Sequence, residues 1–275
     1  MLTFLARQSW TGSSAEFFPA LVQFLGESLG VDYVMLDRLV DAHTAETVAL
    51  YSHGSLTPNV RYPLRGTPCE NVVNGGFCIY EKDVQQLFPE DTLLCDMKAE
   101  SYVGIPLFGS SGAAIGLIAV LHTRPLDGAA VRSVIELAAS RAAAELERAR
   151  AEEALRRSEA SLRQSQRVAR IGHWIWDTTT NRVIWSEEMN RIFGVEPGMR
   201  DLDLAEIIAT RVRPEDQPGI AAINSAIIRG EKPAPLEFGS RLPDGSNRTL
   251  LAIPGDAEFD ESGRLVRLSG IVQDI

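Results

Sequence analysis

The sequence predicts an α+β protein of two domains, each built on a central antiparallel sheet, with one long helix joining them. Three observations carry this. The chain has 275 residues, about twice the length of a common domain. Its middle, from Asp127 to Arg170, holds no proline and no glycine after Gly128 and is dominated by Ala, Leu, Glu and Arg, the strongest helix formers. On either side, short alternating runs are interleaved with short helical patterns and Gly/Pro/Asn/Asp turns, the arrangement of a sheet with helices segregated to its faces.

Composition bounds the function. Apolar residues make up 45% of the chain, enough for a core in each half. The net charge of −10, with no lysine- or arginine-rich block, argues against nucleic acid as a partner. Three cysteines, Cys69, Cys78 and Cys95, without a signal peptide, fit a reduced, cytoplasmic setting. No apolar run approaches the roughly eighteen residues of a membrane span. Met1 leads directly into domain-like sequence, and Gln273-Asp274-Ile275 ends inside a strand-like pattern. We read the chain as a piece of a longer protein.

The first domain is expected over 1–126. Phe17, Ala20, Leu21, Phe24, Leu25 and Leu29 recur at helical spacing before Gly30. Tyr33–Leu36 and Thr47–Tyr51 read as strands, and Gly54–Leu64 as a turn-rich stretch. Thr67 caps a helix with Pro68 in its first position, which Gly75-Gly76 breaks. A short strand at Phe77–Tyr80 and a segment at Asp83–Leu87 follow. Ser101–Phe108 and Ile115–Leu121 then pair across the Gly109–Gly112 turn.

The connecting helix is expected over 127–170. Asp127 caps its start and Gly172 ends its pattern; some forty residues at 1.5 Å each run roughly 60 Å. Glu152→Arg156, Glu153→Arg157 and Glu159→Arg163 are favourable i,i+4 pairs. Ile135, Ala139, Ala142 and Leu146 step by four, three and four, whereas Leu155, Leu162 and Ala169 step by seven. The two runs are out of phase, so the seam shifts between Ala149 and Ala154, where two registers would lie close in energy. The first half is expected to pack on the preceding domain and the second to pair with another copy as a short coiled coil. Leu146, Leu155, Leu162 and Ala169 are the candidate dimer seam.

The second domain is expected over 171–275. His173-Trp174-Ile175-Trp176 and Arg182-Val183-Ile184-Trp185 alternate as a hairpin. Ser186 caps a short helix ending at Phe193-Gly194, a second spans Leu204–Ala209, and Arg213-Pro214-Glu215-Asp216 opens a third toward Gly230. Strands at Leu236–Arg241, Asn247–Ile253 and Leu265–Val272 follow, separated by Asp-Gly and Ser-Gly turns.

Gly66-Thr67-Pro68-Cys69, Lys82-Asp83-Val84, Phe88-Pro89-Glu90-Asp91, Glu100–Leu107 and Ile115–Val120 follow one another in the order and spacing of a GAF domain, and the first half resembles that family over nearly all of residues 14–125. The resemblance implies a six-stranded sheet with a ligand-sized cavity on one face and dimerising helices on the other, without naming a ligand. Its pocket candidates are Cys69, Cys78, Cys95 and Tyr102. Members that attach a bilin do so through a cysteine commonly followed by histidine, and none of the three is; the Asn-Lys-Phe-Asp-Glu signature of cyclic-nucleotide binders is absent as well. Cysteines in this region also occur in GAF-fold reductases of free methionine sulfoxide, where a thiolate attacks sulfur. The alternative is that they are small buried hydrophobes. His43, His53 and His122 have no metal-ligand spacing.

Ile171-Gly172-His173-Trp174, Arg213-Pro214-Glu215-Asp216, Arg241–Ser246 and Gly270–Ile275 lie where a PAS domain places them, and the second half resembles that family throughout. Arg213 stands where the family usually has histidine. The resemblance implies a five-stranded sheet with helices across one face and a cofactor-sized space between them. Trp176, Trp185, Phe193 and Phe238 are its pocket candidates, with ordinary core aromatics as the alternative. This half has no cysteine, which excludes a cysteinyl-flavin adduct, and its one histidine, His173, sits at a strand entrance rather than as a haem ligand. The cofactor is left unnamed. A GAF–PAS tandem implies the sensory region of a bacterial signalling protein, most like a sensor histidine kinase, with a kinase or alternatively a diguanylate cyclase downstream. The ligand would be an unidentified small molecule and the assembly a homodimer. Two other readings stay open: the thiol reductase, and a structural dimerisation unit with empty cavities.

Overall fold

Helix α1 (Ser14–Leu29) buries Phe17, Phe18, Leu21, Val22 and Leu25 along one face, the side that helical periodicity assigns to the core. The computed structural model describes residues 14–195, 202–231 and 233–275, so the first thirteen residues of the expected 1–126 domain lie outside the described residues. It divides into two units between Leu155 and Arg156.

The first unit's sheet runs β3 (Ser55–Thr57), β2 (Thr44–Ser52), β1 (Tyr33–Leu39), β7 (Ala114–His122), β6 (Ser101–Phe108), β5 (Cys78–Tyr80), with all pairs antiparallel. This is the expected six-strand path. A seventh strand, β4 (Arg61–Pro63), pairs with β2 off the path. Both β3 and β4 fall in the stretch read as turns, because three residues are too few to show a period of two. Alternation along β1 divides the interior in two. Val34 and Leu36 face a core shared with α1, while Tyr33 and Met35 face a second core beneath helices α2 (Pro68–Gly75), α3 (Val84–Leu87) and α4 (Thr92–Asp96). Thr67 caps α2 through a bond from the Glu70 amide, and Asp91 caps α4 through the Leu93 and Leu94 amides.

Helix α5 spans Gly128–Ala169, 42 residues. Asp127 Oδ1 accepts from the amides of Ala129 (3.0 Å) and Ala130 (3.4 Å), which satisfies two of the four donors a helix start leaves open. The helix stops one residue short of the expected 170: Arg170 turns left-handed (φ 50°), and Ile171 and Gly172 already belong to β8 (Ile171–Asp177). Gly172 serves a different purpose, because a Cβ there would lie 2.5 Å from Met189 Cγ.

The second unit's sheet has the order β10 (Leu202–Asp203), β9 (Arg182–Trp185), β8, β13 (Leu265–Asp274), β12 (Asn247–Phe259), β11 (Leu236–Arg241). The five expected strands are all present, and the two-residue β10 adds an edge. Helices α6 (Glu187–Phe193), α7 (Leu204–Arg211) and α8 (Gln217–Ile228) complete the unit. Ser186 Oγ accepts from the Met189 amide at the start of α6, and Gly194 (φ 63°) ends it in the left-handed conformation that glycine adopts without strain.

Candidate functional site

A chain of polar side chains runs through the first unit's otherwise largely apolar second core. Strand β1 carries Tyr33, Met35, Asp37 and Leu39 on that side, and its register shifts by a β-bulge between Leu36 and Asp37. The Asp37 carboxyl is fully buried (0% exposed). Its Oδ2 accepts from the Tyr62 hydroxyl at 2.9 Å, while Oδ1 has no partner. The Tyr62 oxygen also lies 3.4 Å from Cys69 Sγ, and the Tyr102 hydroxyl 3.3 Å from the same sulfur. A hydroxyl has a single proton. With Tyr62 donating to Asp37, the chain therefore runs Tyr102 to Cys69, Cys69 to Tyr62, and Tyr62 to Asp37.

Burial decides how this chain titrates. It pushes the Asp37 carboxyl up from 3.8 to about 7, and the Tyr62 bond opposes that only in part. Burial and then the Asp37 charge push the Cys69 thiol up to about 12, so Cys69 is not the thiolate that sulfoxide attack requires. Burial likewise raises Tyr62 and Tyr102 well above the usual tyrosine range.

Of the predicted pocket residues, the structure brings together Cys69 and Tyr102. Cys78 is half-buried on β5 with Sγ 3.5 Å from Gly76 O, and Cys95 is exposed on α4; all three thiols are free. Asp37 does not stand out in the sequence, because the charged pair Asp37-Arg38 reads as the end of the Tyr33–Leu36 strand. Carrying the alternation one step further puts Asp37 beside Tyr33 and Met35, which is the signal that was available. His122 and His53 sit around Asp32, whose Oδ2 lies 2.6 Å from His122 Nδ1 and accepts from Thr123. This cluster ties the start of β1 to the end of β7.

Helix α5 changes character along its length. Val131, Val134, Ile135, Ala138, Ala139, Ala142 and Leu146 are buried in the first unit's core. This corrects the seam: Leu146 is 2% exposed, within reach of Gly116, whose added Cβ would meet Leu146 Cδ2 at 2.8 Å. Leu155 (62%) and Leu162 (60%) are exposed, as is Ala169. Glu159–Arg163 forms at 3.6 Å, Glu152 pairs backward with Arg148 at 2.9 Å, and one of the contacts of Glu153 is with Arg38 of β1 at 3.6 Å.

In the second unit, sheet and helices line a half-open pocket of about 90 Å³. Trp174, Trp185, Phe193 and Phe238 give its aromatic walls, and among the described lining residues Asn224 alone has side-chain hydrogen-bonding groups beyond the tryptophan N–H. The Trp185 and Phe193 rings are 4.9 Å apart, and Phe193 stacks on Phe238 at 6.4 Å. Trp176 is outside this lining, contrary to expectation. It lies at the hairpin end of β8 opposite Val183, packs against the cluster of Ile227, Leu265 and Leu268, and donates Nε1–H to Asn181 Oδ1 at 3.2 Å. Trp174, two residues earlier on the same face, takes its place. Ser240, on the same face of β11 as Phe238, is 0% exposed with an unpartnered hydroxyl.

The sequence model of the GAF domain family matches residues 14–146. No curated protein matches the chain. Similar solved structures include the GAF domain of a phosphoenolpyruvate-protein phosphotransferase from Acinetobacter, 17% identical over 55% of this chain and 96% of that one, with a TM-score of 0.43. A sensory box histidine kinase/response regulator from Burkholderia thailandensis is 21% identical over 42% of this chain and 83% of that one (TM-score 0.33). The N-terminal domain of a diguanylate cyclase with PAS/PAC sensor from Marinobacter aquaeolei is 20% identical over 38% and 94% (TM-score 0.34).

Proposed function

We propose, from the premise that residues 14–146 are a GAF domain, that the chain is the non-catalytic sensory region of a bacterial signal-transduction protein. In this reading 1–126 and 171–275 are the GAF and PAS-like sensory domains, and 127–170 connects them. The helix is shared by two copies, and the protein works in the cytoplasm. A small molecule held by the second domain, or a signal at the first, biases the register of the paired helices. The shift passes to a downstream output domain, a histidine kinase with a diguanylate cyclase as the alternative. No helix among the described residues is long and apolar enough to cross a membrane.

The observation that carries this is the change of character along α5. Through Leu146 the helix is part of the first unit's core, and it then continues unbroken with Leu155 and Leu162 exposed. A polar helix of that length gains little from standing alone in water. Seven-residue spacing of leucines is what a partner helix buries.

The test is cysteine cross-linking of the full chain carrying Leu155→Cys or Leu162→Cys, with Cys78 and Cys95 replaced by serine. Efficient disulfide formation at both positions in a dimeric protein is expected, with yields that shift on ligand binding. A monomer by sedimentation, or cross-linking no faster than at the exposed Leu137, would sink the reading.

A further inference from the structure

The second unit's cavity has a lining whose chemistry restricts what can enter it. Among the described residues, no charged side chain lines it. An ionised ligand would leave water without a counter-charge, the most expensive transfer there is. A ligand with several polar edges would leave most of them unpaired against the described lining, in which Asn224 is the sole side-chain amide.

Size restricts it further. At about 90 Å³ the space is smaller than the roughly 150 Å³ apolar cavity that stays dry and accepts benzene. The occupant is thus about one ring or a short alkyl group, admitted with a small movement of a flexible wall. Met189 supplies such a wall, since its unbranched thioether repacks easily. Shape is set by the aromatic walls. The ring planes of Trp185 and Phe193 differ by 35°, and those of Phe193 and Phe238 by 25°, so a flat occupant can lie offset against near-parallel faces.

We propose that this cavity takes a small, uncharged, planar hydrocarbon-like molecule, and that the chain's chemical input is of that class. The inference rests on the reading of the second domain as a signal receiver, and it names what that site accepts.

The experiment compares benzene with sodium benzoate, the same ring carrying a charge, in calorimetric melting of the full chain. Benzene is expected to raise the melting temperature of one transition saturably, and benzoate at equal concentration to leave it unchanged. Ala252→Leu, which extends a lining side chain into the space, is expected to weaken benzene binding at least tenfold. Should that variant fold poorly, xenon NMR of the wild-type chain reports the cavity directly, with a xenon shift that benzene displaces. No benzene effect together with no displaceable xenon overturns the proposal, and so does benzoate binding as well as benzene. Benzene that binds yet leaves the Leu155 and Leu162 cross-links unchanged sustains the ligand class while counting against the relay, so the two readings fail separately.

Discussion

Replacing Asp37 by asparagine should remove a pH dependence from the first unit. The rise of the Asp37 carboxyl from 3.8 to about 7 means that the folded state holds its proton more tightly than the unfolded chain. The sign follows from linkage: the stability gained from the protonated form is fully present below the unfolded value near 4 and is lost as pH rises toward 7. At 1.36 kcal/mol per pH unit, three units make about 4 kcal/mol. Asparagine has nearly the shape of the neutral acid, and its carbonyl can keep the Tyr62 bond (2.9 Å). Its amide meets the space beside the unpartnered Oδ1 and costs about 1–3 kcal/mol if it finds no acceptor. The variant should therefore be the less stable protein near pH 4.5 and the more stable one near pH 8. Urea unfolding of both proteins at pH 4.5, 6, 7 and 8 measures this, and the difference between them cancels every other titrating group. Curves that stay parallel across that range would refute the argument, since they would mean that Asp37 is hydrated or ion-paired in the folded protein.

Leu146→Ala should cost the first unit about 2–5 kcal/mol, the range for a buried leucine, and leave dimerisation intact. Leu155→Ala should do the reverse, and urea unfolding with analytical ultracentrifugation separates the two. Ser240→Ala removes a fully buried hydroxyl that has no partner, so calorimetry should find the second unit unchanged or stabilised by about 1 kcal/mol. Alkylation with a maleimide at pH 8 should modify exposed Cys95 first and leave Cys69, whose thiol is pushed up to about 12, unmodified until the unit unfolds. Peptide mass mapping over time reads the order.

What was legible in the sequence was local. The start of α5 at Asp127, the Thr67 and Ser186 caps, Gly194 at the end of α6, and the strands longer than about four residues all rest on interactions between near neighbours, so residue type and spacing reveal them. Segments too short to complete a period did not show: β3, β4, β10 and α4 are held by pairing or capping rather than by their own pattern. The arginine turn at Arg170 was missed for a related reason, since nothing about arginine announces a positive φ.

Residue type and spacing alone reveal that a long polar helix separates two sheet-bearing halves, and that the second half has no cysteine. Tertiary structure alone decided which groups meet. Asp37, Tyr62, Cys69 and Tyr102 are up to 65 positions apart, and only the strand pairing and the fold of α2 over the sheet bring them into one chain. Likewise Trp174 lines the cavity and Trp176 does not, although both lie on one face of one strand, because Trp176 packs against the cluster of Ile227, Leu265 and Leu268. Leu146 and Leu155 carry the same side chain on the same helix. One is buried and the other bare because the first unit's sheet extends beneath only one of them, and burial belongs to the surroundings rather than to the residue.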